Sequence, residues 1–169
     1  SLLDHYEAFG QFESERIGIF DGNVSYDRVT AFGNNTVISG VSIVGYDAIA
    51  DDFIFGGNGS GEFDVLVGVS SPNSTELFIL GSSQVQPFYV GSGDADFAVI
   101  ENFDVGSDRI QLSGSLEDYN FEFANNFMIN NFNNEIINNS TSIFTADGDL
   151  IAVVKNVPNI QDATLLFEG

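Results

Sequence analysis

Cysteine and tryptophan are both missing from this chain, and its one histidine, His5, lies near the N-terminal end. Without thiols there are no disulfide staples and no thiolate metal sites, a composition compatible with life outside a bacterial cell. A lone imidazole rules out the paired-histidine helix of a zinc protease and disfavours zinc, copper or iron centres generally. A Ser-His-Asp triad would have to use His5, and no Gly-x-Ser-x-Gly elbow sits between a strand and a helix, so His5 reads as a surface residue. Basic residues are scarce: 4 Lys+Arg stand against 25 Asp+Glu, giving a formal charge of −21. So acidic a chain is a poor partner for nucleic acid. No apolar run approaches a membrane span and no basic segment leads an apolar signal core, so the expectation is a soluble chain, mature or truncated, without membrane insertion.

What is present argues for a fold rather than an acidic tail. Hydrophobic residues make up 43% of the chain, and the 17 Phe supply far more apolar surface than a disordered acidic segment carries. A chain that gathers so many carboxylates repels itself on collapse unless cations sit among them. Three zones follow from the text. Residues 1–20 place Leu2, Tyr6, Phe9 and Glu13 at helix-like spacing, which predicts a short N-terminal arm or helix that packs on its own domain or docks on a neighbouring subunit. Residues 21–115 read as short β-rich runs between Gly, Asn, Asp and Ser, among them 36–39, 41–44, 52–55, 65–67, 77–80, 97–100 and 109–112. Residues 116–169 read as antiparallel hairpins over 119–123, 142–144 and 150–154, the last two joined at Asp147-Gly148-Asp149. The Asn-rich stretch from Asn125 to Asn139 is too apolar for a free linker, so its amides are expected to serve turns and backbone ladders or, alternatively, stacking between chains.

The most informative segment is Gly56-Gly57-Asn58-Gly59-Ser60-Gly61-Glu62-Phe63-Asp64-Val65-Leu66-Val67-Gly68. Glycines permit the positive φ that exposes turn carbonyls, and a following aspartate offers the hard oxygen that calcium prefers. Asp94, Asp96, Asp104 and Asp108, crowded around Gly91, Gly93 and Gly106, form the first candidate site. Asp64 with the carbonyls of Gly57 and Gly59 forms the second, Asp47, Asp51 and Asp52 a third, and Asp147 with Asp149 a fourth. Each of these acids also admits the plainer role of capping the amides of its own turn. A carboxylate pair could run a glycosidase, but acids lying in glycine turns suit ion ligation better.

The segment 57–68, with Glu76-Leu77-Phe78-Ile79-Leu80-Gly81, Asp96-Phe97-Ala98-Val99-Ile100-Glu101-Asn102-Phe103-Asp104, Asp108-Arg109-Ile110-Gln111-Leu112 and the block 149–154, resembles the C-terminal region of bacterial repeats-in-toxin calcium-binding proteins, the cyanobacterial branch in particular. The resemblance covers well over half the chain in the family's order. It implies an all-β fold: a degenerate parallel β-roll or β-solenoid over 21–115 holding calcium between turns, and an antiparallel β cap over 116–169 that carries a C-terminal export signal. Two positions depart from the family's pattern, Glu76 and Asn102, where the family has aspartate. Glu76 has the longer reach, and uncharged Asn102 leaves its site weaker or reliant on Asp104.

These readings lead to a non-catalytic, secreted, extracellular or cell-surface structural protein that folds on calcium and self-associates into a surface layer, filament or matrix. The alternative is the calcium-binding, type I export module of a larger secreted enzyme or toxin, with residues 1–20 as a linker stump; the apolar set Leu2, Leu3, Tyr6, Phe9 and Phe12 argues against a stump. A third reading, carbohydrate binding on a β-sandwich, lacks tryptophan and rests on five Tyr.

Overall fold

A computed structural model describes residues 17–129, 134–160 and 164–169. Its strands are short and follow the apolar runs. In chain order they are β1 (Gly18–Asp21), β2 (Asp27–Thr30), β3 (Asn35–Ser39), β4 (Ile43–Asp47), β5 (Asp52–Phe55), β6 (Phe63–Val67), β7 (Thr75–Ile79) and β8 (Phe97–Glu101). They continue with β9 (Arg109–Ser113), β10 (Tyr119–Ala124), β11 (Phe127–Ile129), β12 (Glu135–Ile137), β13 (Ser140–Thr145), β14 (Leu150–Val154) and β15 (Leu165–Glu168).

Most of the strands divide between two sheets, ordered β1-β3-β7-β9-β15 and β10-β13-β14-β8-β6-β2. The first is parallel throughout. In the second, β2, β6, β8 and β14 are parallel, and β13 and β10 extend it antiparallel. Leaving aside β10 and β13 and the separate antiparallel pairs β4–β5 and β11–β12, successive strands alternate between the two sheets.

In-register parallel pairing puts like side chains side by side. Phe20, Ile38, Phe78, Ile110 and Leu165 form one row of the first sheet, and Val29, Leu66, Ile100 and Val154 one row of the second. Both rows meet in one apolar cluster. Phe78 is fully buried there, and truncating such a side chain costs about 3–5 kcal/mol. The strands β6 and β14 are buried along their whole length, as expected where a sheet is covered on both faces. A second cluster, with Val65, Val99 and Val153, is closed by Phe127, Ile129 and Ile137 of the β11–β12 hairpin.

Asparagine makes many of the turns. Asn102, Asn126, Asn134, Asn139 and Asn156 all adopt positive φ, the conformation that asparagine tolerates better than most residues. The Asn138 carboxamide accepts the Asn126 amide across the hairpin, so the described part of the Asn-rich stretch serves turns.

Two boundaries shift from the expectation. Residues 116–169 are antiparallel in part: β10, β13 and β14 pair antiparallel, but β14 also pairs parallel with β8 and β15 parallel with β9. Strand β1 begins inside the zone read as an arm; residues 1–16 of that zone, His5 included, lie outside the described residues. Among the described residues no helix is long and apolar enough to cross a membrane.

Candidate metal centre

The glycine turn works on the next turn of the chain. Gly59 and Gly61 have φ of +69° and +76°, and the Glu62 amide closes the loop on the Gly59 carbonyl at 3.0 Å. The Gly61 amide then donates to Asp96 Oδ2 at 2.9 Å. Asp96 is fully buried at the start of β8, and its Oδ1 has no hydrogen-bond partner. Asp94, two residues earlier, is exposed in a single 3-10 turn over Gly93–Ala95. Gly57 stands in open space, with nothing within 4 Å of where a Cβ would sit.

Asp64 is drawn elsewhere. Its Oδ1 accepts the Asp27 amide at 2.8 Å and its Oδ2 the Tyr89 hydroxyl at 2.7 Å. Burial lifts this carboxyl to about 7, and the two hydrogen bonds oppose the rise. Tyr89 is fully buried with φ +59°, and its amide donates to the Asn58 carbonyl at 2.7 Å. The tyrosine ring needs Gly59, where a Cβ would meet it at 2.9 Å.

At the other end of β8 lies a second group. Asp108 is fully buried; its Oδ1 accepts the Glu76 amide at 3.0 Å and its Oδ2 the Asp104 amide at 2.8 Å. Glu76 is 1% exposed, and neither of its carboxylate oxygens has a hydrogen-bond partner. Burial first, then the Asp108 charge and the approach of its carboxyl group, push Glu76 up to about 7; Ser74 and the Val69 backbone oppose this, all three groups lying near without reaching hydrogen-bond geometry. Burial also raises Asp108. Thr36 pairs in register with Glu76 and is equally buried, and its Oγ1 is likewise unpartnered. Asp104 is exposed and caps its own turn through the Gly106 amide at 2.8 Å. Asn102, with φ +61°, donates its carboxamide to the Gly68 carbonyl at 3.1 Å.

The four acids grouped first from the sequence are therefore divided. Asp94 and Asp96 precede β8 and Asp104 and Asp108 follow it, and a five-residue strand spans about 16 Å, too far for one ion. The remaining candidates act mostly as turn caps. Asp47 accepts the Ile49 and Ala50 amides, Asp51 takes the Tyr46 hydroxyl, and buried Asp52 takes the Phe53 amide and the Ser83 hydroxyl. Asp147 is exposed in the β13–β14 turn, while Asp149 accepts the Gly91 amide at 2.8 Å and keeps a buried, unpartnered Oδ1. Among the described residues no three acidic or imidazole side chains converge on one point.

Among the described residues no basic side chain pairs with the carboxylates of Asp64, Glu76, Asp96 or Asp108. The ion pairs among the described residues join Arg28 and Lys155 to Glu101, at 2.6 and 2.8 Å, and Lys155 to Glu135 at 2.7 Å. Arg109 donates to the Asp108 main-chain carbonyl rather than to its carboxylate. A buried carboxylate without a partner is costly, and a bound cation is one means of neutralising it. The donors available at Asp96 and Glu76 are oxygens only, the set that hard ions such as calcium take. Sequence reading missed Thr36, Asp27 and Tyr89, whose roles depend on register and on contacts distant in sequence. No family model matches the sequence, and no curated protein matches it.

Proposed function

We propose that this chain is a non-catalytic, extracellular calcium-binding structural protein, a degenerate β-roll whose folding depends on calcium and whose copies associate. One observation carries the reading: Asp96, buried against the glycine turn at Gly61, has an oxygen with no partner in a chain with far more acids than bases. In this reading calcium lies between the turn carbonyls around Gly57 and Gly59 and the Asp96 carboxylate, with Asp94 at the rim. The alternation of successive strands between a parallel sheet and the parallel part of a mixed one, the inserted antiparallel strands aside, supports the roll. At low calcium the acids repel and the chain stays loose, the state suited to export; at millimolar extracellular calcium they are neutralised and the strands close.

Self-association is supported by the sheet ends. Among the described strands β1 and β2 have one neighbour each at one end, as do β15 and β10 at the other. Ile17, Ile19 and Val24 are exposed near the first end and Leu166 at the second. Unpaired strand edges of this kind accept further strands.

The test is thermal unfolding with light-scattering chromatography, in calcium and in chelator. A site with a Kd of about 0.1 mM contributes about 1.4 kcal/mol at 1 mM calcium, or about 3–6 °C in Tm for a chain of this length. An unchanged melt in chelator removes the folding role. A monomer at high concentration in saturating calcium removes the association.

A further inference from the structure

We propose that Thr36, Glu76 and Asp108 form a second, internal site for one hard cation of calcium's class, at the end of β8 opposite the glycine turn. The three residues are 1%, 1% and 0% exposed. Parallel register sets Thr36 beside Glu76, and the Glu76 amide binds the Asp108 carboxylate directly. Three oxygens here lack any hydrogen-bond partner: Thr36 Oγ1 and both carboxylate oxygens of Glu76. A fold that satisfies nearly all its buried polar groups rarely leaves three neighbours wanting.

The chemistry of the gap is specific. With Glu76 ionised it takes an electrophile and not an acceptor, because a carboxylate has no proton to give. Two carboxylates match the charge of a divalent ion, and the hydroxyl of Thr36 adds a neutral oxygen, a mixture that calcium accepts in irregular geometry. Gly68 keeps the approach to Glu76 clear of a side chain: a Cβ there would lie 3.0 Å from the Phe78 ring, 3.1 Å from the Asn102 carbonyl oxygen and 3.2 Å from Glu76 Oε2. Asn102 also lines an open cleft of about 580 Å³ with Val69 and Asp104; the three proposed ligands are not among its walls.

This site does not depend on the glycine-turn centre, and the two are separable by substitution. The experiment is calorimetric titration of the chelator-stripped full chain with calcium chloride, on the parent protein and on Glu76→Gln, Thr36→Val and Asp96→Asn. Glu76→Gln is expected to bind one calcium fewer per chain, and Thr36→Val, which keeps both carboxylates and the volume, to weaken one site about tenfold. Asp96→Asn should leave the Glu76 site intact, so it reports on the glycine turn alone. Unchanged stoichiometry in Glu76→Gln overturns the proposal. If that variant also melts higher in chelator, the carboxyl pair shares a proton instead of holding an ion. Should Glu76→Gln fail to fold, Thr36→Val decides: unaltered calcium affinity at every site overturns the proposal.

Discussion

Replacing Tyr89 with phenylalanine removes one oxygen from the centre of the molecule and leaves the ring, its packing and its backbone in place. The lost hydroxyl donates to Asp64 Oδ2 at 2.7 Å, and both residues are fully buried. Asp64 then keeps only the Asp27 amide. Because burial lifts the Asp64 carboxyl to about 7, its folded value exceeds the unfolded one of about 4. The stability contributed by the protonated form is therefore complete below about pH 4 and lost as pH rises through 7. At pH 5 the folded Asp64 is largely neutral, and Tyr89→Phe deletes a neutral hydrogen bond worth about 1 kcal/mol. At pH 8 it deletes a bond to a buried carboxylate, worth about 2–3 kcal/mol. In Tm this corresponds to a loss of about 2–4 °C at pH 5 and about 4–12 °C at pH 8 for a chain of this size. Thermal unfolding of both proteins at the two pH values, at one calcium concentration, measures it. A loss that is equal at both, or larger at pH 5, refutes the account of Asp64.

Gly40→Ala should abolish folding or cost several kcal/mol, since its Cβ would collide with the Tyr89 hydroxyl and the Asp64 carboxylate, whereas Gly57→Ala should stay within about 0.5 kcal/mol; similar urea midpoints for the two would contradict the packing. Lys155→Ala removes the cation shared by Glu101 and Glu135 and should cost about 1 kcal/mol, less in 1 M salt; a salt-independent loss would count against an electrostatic role. Burial raises Glu101, but Lys155 and Arg28 pull it below its ordinary value. The Lys155 contribution is thus present above about pH 4.5 and fades as pH falls through the depressed value, which a pH series on the variant would read.

Strands were legible where an apolar run stands between turn residues: 52–55 and 150–154 coincide with β5 and β14. Strand β2 was not, because Asp27-Arg28-Val29-Thr30 buries only Val29; what holds it is its register with β6, far along the chain. Strand β14 misled in a different way. A fully buried run looks the same in a parallel and an antiparallel setting, so nothing local revealed that one edge of β14 meets β8. The acids of the candidate centres were visible as residue types before strands. Their partners were not: Tyr89 stands 25 residues from Asp64 and Asp108 stands 32 from Glu76.

The connections between the two sheets are unequal. Passages from the second sheet to the first run over 31–34, 68–74, 102–108 and 155–164, whereas those in the other direction, after a short first one over 22–26, hold the β4–β5 hairpin in 40–62, the Tyr89 loop in 80–96 and the whole β10–β13 excursion in 114–149. Closing a longer loop costs only about 0.6 kcal/mol per doubling, so length accumulates where nothing must stay in step. One flank is a spine of fixed pitch and the other a margin open to drift. Foreign segments grafted into 47–51 would land on that margin, while the same graft in 102–108 would put the spine out of phase.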